Sequence, residues 1–109
     1  MNLPVSIRTK MLPHASTEVK VYYPVVFNLP NHGIQQKINQ AIVTTLNKIL
    51  IEQSYYETSL VELLAYYELK TNQLGILSLN LIVYSFTGVA QGMPIINSRT
   101  FYKTTGKQD

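Results

Sequence analysis

His14 and His32 are the two imidazoles of this chain, and any metal or acid–base chemistry would have to begin with them. Zinc gathers three or four ligands at about 2.0–2.3 Å. The sequence has neither an H-x-x-H nor an H-E-x-x-H pattern, and nothing in it forces His14, in a Pro-flanked turn, onto His32, in a first helical turn. Both read as solvated histidines. The carboxylates are Glu18, Glu52, Glu57, Glu62, Glu68 and Asp109. Glu62 and Glu68 share a strand face, but at about 3.3 Å per residue they stand roughly 20 Å apart, too far for paired acid–base work. There is no Cys, which excludes a disulfide framework, a thiol nucleophile and thiolate metal sites. No G-x-S-x-G elbow or Walker loop is present. The residues imply no catalytic group, no metal site and no cofactor.

Two features remain. Gly88, Gln91 and Gly92 belong to a loop, TGVAQG, that leads into Met93-Pro94. A phosphate-cradling Gly loop must open a helix. This one opens an extended segment, so a sharp bend or bulge is the expected role. The second feature is tyrosine, with eight residues against three phenylalanines and no tryptophan. The pairs Tyr22-Tyr23, Tyr55-Tyr56 and Tyr66-Tyr67 put one ring on each face of an extended segment. Inward rings serve a core. Outward rings either pack across strands or bind something.

The elements that must position these residues follow from periodicity. Val5 to Met11 alternates as a strand, residues 12–16 form a turn, and Val19, Val21 and Tyr23 alternate in a second strand that ends or becomes an edge at Pro24. Asn31 is a candidate N-cap. From there Ile34, Ile38, Ile42, Leu46 and Ile49 recur at helical spacing to about Gln53. Residues 54–59 either extend the helix or cross to the next strand. Two alternating segments then flank Thr71–Gly75 as a hairpin, Pro94 to Lys103 forms a last strand, and a frayed polar tail follows. The expected fold is α+β: an antiparallel sheet of about five strands, in the order β-β-α-β-β-β, with one long helix on one face. The bare face would carry some of Tyr22, Tyr66, Ile82, Tyr84 and Phe86.

At 109 residues the chain reads as one domain over 1–109, or as a fragment of a larger exported protein. It is 46% apolar and only 14% charged, so it is no disordered segment, and part of its surface is expected to be covered by something else. The net charge of +3 comes from scattered basic residues, which argues against nucleic acid as a partner. The opening MNLPVSIRTK is too polar for a signal peptide, so an exported parent would need a leader outside this chain, and membrane attachment would need an anchor outside it.

Several stretches resemble a known family. They are Tyr23-Pro24, Leu29-Pro30-Asn31 and residues 36–42 (QKINQAI), then Tyr66-Tyr67-Glu68, Thr71-Asn72, Gly75 to Leu79, Tyr84 to Gly88, and Ser98 to Lys107 (SRTFYKTTGK). Together, from about Val5 to Lys107, they resemble the extracytoplasmic domain that precedes the catalytic domain in the peptidoglycan deacetylase PdaC. They are also similar to the lysozyme-sensing domain of the anti-sigma factor RsiV. The resemblance implies an α+β fold, a bacterial envelope setting and no catalytic residue, since catalysis in the deacetylase belongs to a separate domain. Gly88-Val89-Ala90-Gln91-Gly92 departs from the family's Gly-Gly-Ala-His-Gly, and Gln91 removes the one loop residue able to ligate a metal. In the family a second half usually follows the Thr-Gly-Lys end.

The reading is a non-catalytic, extracytoplasmic binding or sensor domain of the cell envelope, recognising a lysozyme-like protein or a cell-wall glycan. Its expected surface is the bare sheet face, with Tyr22, Tyr66 and Tyr84 as anchors and Lys20, Lys70 and Arg8 steering an acidic partner. The alternatives are an accessory domain of a peptidoglycan-modifying hydrolase and an intracellular domain that forms homodimers through that face.

Overall fold

The computed structural model describes residues 5–53, 55–56, 60–73, 75–86 and 94–108. Five strands and one helix follow in the order β1 (Ser6–Leu12), β2 (Val19–Phe27), α1 (His32–Glu52), β3 (Glu62–Gln73), β4 (Ile76–Phe86) and β5 (Ile95–Tyr102). The strands lie side by side in sequence order in one sheet.

The helix forms where its spacing requires. Asn31 caps it, its Oδ1 accepting the Ile34 N–H at 3.1 Å, and Gln53 closes it. Ile38, Ile42, Leu46, Ile49 and Leu50 are buried along one stripe, against Leu63 and Ala65 of β3, Leu77, Leu79, Leu81 and Val83 of β4, and Phe101 of β5. The helix is then followed by a turn at Tyr55 and Tyr56. Tyr55 is buried, its ring edge-on to His14 at 5.2 Å, and it ties the helix end to the β1–β2 turn. His14 also accepts the Ser16 N–H on Nδ1, so its role in the structure is local.

The sheet is mixed, which corrects the expectation of an antiparallel one. β2 and β3 run parallel, paired at Val19–Leu63, Lys20–Leu64 and Val21–Ala65, while the other three pairings are antiparallel. Parallel neighbours need a long crossover, and the stretch containing α1 supplies it. The strand does not end at Pro24. β2 continues to Phe27 alongside β1, but its pairing with β3 stops at Val21, so Pro24 sits where one side of the strand is already free of the ladder. Burial changes phase there, from Val19 and Val21 to Pro24 and Val26. The main-chain groups of Val26 are met by Asn39 of the helix instead of a strand.

The hairpin turn is tighter than expected. Thr71–Gln73 belong to β3, Gln73 pairs with Ile76, and Gly75 takes φ 72°, a left-handed conformation that glycine adopts freely. A register shift between Leu69 and Thr71 brings Asn72 opposite the buried Leu77. Its carboxamide then bonds both main-chain groups of Val5 at 2.9 Å.

The tail is not frayed over its described part. Tyr102 N–H donates to the Lys107 carbonyl at 2.8 Å, and Gln108 bridges to Phe101. Gly106 makes this return with φ 74°, close enough to α1 that a Cβ would lie 3.0 Å from Cδ of Lys37.

Candidate functional site: the uncovered sheet face

Because α1 covers one face, each strand presents its alternate residues on the other. The register assembles them into rows. Lys20 of β2 lies beside Leu64 of β3, which lies beside Tyr84 of β4. The next row is Tyr66, Ile82 and Ile96 across β3, β4 and β5. Farther toward the hairpin tip the rows become polar, with Glu68, Asn80 and Ser98, then Thr71, Ser78 and Thr100.

The apolar rows are a surface feature. Ile82 is 5% exposed yet stands outside the core cluster, and the residues flanking it in register, Tyr66 and Ile96, are 38% and 63% exposed. Tyr84, Leu64 and Phe86 are half-buried beside them. At the β2–β3–β4 junction a cleft of about 260 Å³ opens, lined in part by Glu18, Lys20, Glu62, Leu64, Tyr84 and Phe86. One cation and two carboxylates therefore border an aromatic ring. Such an arrangement offers stacking together with acceptors for hydroxyl donors.

The six residues expected as a binding surface separate into two sets. Lys20 and Tyr84 share a row, Tyr66 lies in the next, and Tyr22 is two residues along β2 from Lys20, opposite the exposed Met11. Lys70 and Arg8 stand apart from them. Lys70 falls in the register shift and lies 3.7 Å from Glu68, both side chains about half exposed, a weak and screened pair. Arg8 is on β1, opposite Val25, with its guanidinium 4.8 Å from the Phe27 ring centroid. Gly88, Gln91 and Gly92 lie outside the described residues. Glu18, Glu62, Leu64 and Ile96 are neighbours of Tyr84 and Tyr66 that the sequence does not assign to this surface; there the two carboxylates enter only as acid–base candidates. The alternation of β3 and β4 marks Leu64 as outward, but only the parallel β2–β3 register brings Glu18 and Lys20 beside it. Among the described residues, no group of three or more His, Cys, Asp or Glu side chains is placed to hold a metal ion, and no helix is long and apolar enough to cross a membrane.

The fold and this face define an α+β domain in which, among the described residues, one side of the sheet is open. A family model described as deacetylase PdaC matches residues 13–94, well over half of the chain, and the chain belongs to that family. The matched span runs from the β1–β2 turn through β2, α1, β3 and β4 to the threshold of β5. No curated protein matches the chain.

Proposed function

We propose that this chain is a non-catalytic accessory domain, acting on the outer side of the bacterial membrane, that holds cell-wall glycan for a peptidoglycan-modifying enzyme. The observation that carries this reading is the placement of Tyr84 in the cleft with Lys20, Glu18 and Glu62, next to the exposed Tyr66. A sugar ring stacks its apolar face on an aromatic side chain while its hydroxyls find carboxylate and ammonium partners at the rim. Membership of the deacetylase family supports a wall polymer as the ligand, with the chemistry performed by another domain. The exposed Ile96, ending the apolar row at the edge strand, favours a second reading in which a protein of the lysozyme type docks on the same face.

Titration of soluble peptidoglycan fragments and, separately, of lysozyme into the 15N-labelled domain tests both. Saturable amide shifts at Lys20, Leu64, Tyr66 and Tyr84 with the fragments support glycan binding. Shifts there with lysozyme alone transfer the face to a protein partner. No response to either, or shifts confined to other elements, overturns the assignment of this face.

A further inference from the structure

On the helix-covered side of the sheet, β5 interrupts the apolar core between Ile95 and Phe101. Asn97 and Arg99 stand opposite Leu81 and Leu79, so two polar side chains follow where β4 presents leucines. They form one wall of a groove of about 320 Å³ whose other wall is the flank of α1, with Thr44, Thr45, Lys48 and Glu52. That size lies at the lower end of small-ligand pockets. The Oδ1 of Asn97 is buried and has no hydrogen-bond partner among the described residues. The large majority of buried side-chain polar atoms are bonded, so turning this carboxamide to present its oxygen to a donor in the groove breaks no existing bond. Lys48 and Arg99 bring two cations to the same groove. Among the described residues neither lies within ion-pairing distance of a carboxylate, Glu52 included. One guanidinium nitrogen of Arg99 donates to the Ser98 carbonyl at 3.1 Å, and the remaining donors of its fork are left for a planar anion.

We propose that this groove binds an α-amino acid as its zwitterion, either free or as the free amino-acid end of a wall peptide. The carboxylate pairs with Arg99 and Lys48. The ammonium group donates to Asn97 Oδ1 and pairs with Glu52. The complement is specific to that class. A simple anion leaves the Asn97 acceptor without a donor and meets Glu52. A simple cation meets Lys48 and Arg99. The site lies on the opposite face from the tyrosine rows, so its test is independent of the glycan reading.

The experiment follows amide shifts of the 15N-labelled chain during titration with glycine and D-alanine, with acetate and methylammonium as half-ligands. A short peptide carrying a free amino-acid end on its side chain forms the last arm. Saturable shifts at Thr45, Asn97 and Arg99 with the amino acids, at least roughly tenfold weaker with either half-ligand, support the proposal. Glu52→Gln, on an exposed helix position, and Arg99→Ala should each weaken glycine binding by roughly tenfold while the rest of the spectrum is unchanged. Tighter binding of the peptide than of glycine assigns the site to wall peptide, and the reverse order assigns it to free amino acid. No shifts at millimolar ligand, an equal response to acetate, or full affinity in Glu52→Gln overturns the proposal.

Discussion

The carboxamide of Asn39 holds both main-chain groups of Val26: its Oδ1 accepts the Val26 N–H at 2.8 Å and its Nδ2 donates to the Val26 carbonyl at 2.9 Å. A helix side chain here takes the place of a neighbouring strand, beyond the point where β3 stops pairing. Asn39→Ala should therefore cost about 1–3 kcal/mol in denaturant melts, because two partly buried main-chain groups lose their partner. Asn39→Asp keeps the acceptor and loses the donor, so its cost at neutral pH should fall between wild type and alanine. Equal stability of all three proteins would show that solvent replaces the amide.

Ile42 is fully buried at the centre of the helix stripe. Ile42→Ala should destabilise the domain by about 2–5 kcal/mol, through lost burial and the cavity left behind. Urea denaturation followed by circular dichroism measures it, and a loss under about 0.5 kcal/mol would contradict the packing of α1 on the sheet.

Burial, and secondarily the neighbouring Tyr56, pushes the Tyr55 phenol above its ordinary value of about 10. The folded state then binds this proton more tightly than the unfolded chain. The stability linked to it is intact below about pH 10 and is lost as pH rises through the folded value. Lys103 acts in the opposite sense: burial pushes its ammonium down, so the cost of keeping it charged in the folded state is relieved as pH rises. Tyr55→Phe should reduce the alkaline loss of stability while changing stability at pH 7 by less than about 1 kcal/mol, since the hydroxyl reaches the Pro13 carbonyl only at 3.5 Å. Melts at a series of alkaline pH values check the slope. An unchanged slope would remove Tyr55 as its source.

Tyr66→Ala and Tyr84→Ala should both weaken binding of peptidoglycan fragments while leaving a dispersed amide spectrum. Tyr66 is the cleaner probe, because its ring is 38% exposed and lies outside the core cluster. Unfolding of Tyr66→Ala would place that ring among the structural residues.

Gly75 and Gly106 share nearly the same left-handed φ but differ in their surroundings. A Cβ at Gly75 meets nothing within 4 Å, whereas at Gly106 it meets the Lys37 side chain at 3.0 Å. Gly75→Ala should cost about 1–2 kcal/mol from backbone strain alone. Gly106→Ala should cost more, and Lys37→Ala should recover the excess by opening the space. Thermal melts of the four variants, including the Gly106→Ala/Lys37→Ala pair, separate strain from contact.

What the sequence showed and what it hid divide along the range of the interactions. Asn31 and the three- and four-residue spacing from Ile34 to Ile49 are local, and the helix observed, His32–Glu52, begins and ends where they place it. The alternation of Leu77, Leu79, Leu81 and Val83 is equally local, and all four are buried. The parallel pairing of β2 with β3 joins residues on either side of the helix, and no periodicity within either strand records it. The register shift at Leu69/Thr71 is hidden for the same reason. Strict alternation assigns Thr71 to the face of Leu69, and the shift gives that place to Asn72. The candidate face shares this limit. Outward tyrosines can be read strand by strand, but the company they keep, Glu18 and Lys20 above all, depends on a pairing that only the folded chain reveals.

The seam between β2 and β3 is only three residue pairs long. It joins two ribbons, the β1–β2 hairpin and the β3–β4–β5 meander, each held by longer antiparallel ladders between consecutive strands. Closing the seam requires the whole segment containing the helix to be looped back first, at an entropic cost the hairpins do not carry. That difference predicts an order of assembly in which the two ribbons form first and the domain commits to its native state when the helix brings Val19–Val21 alongside Leu63–Ala65. Mutations at this short junction should therefore slow folding, whereas mutations out on the β5 edge should mainly hasten unfolding.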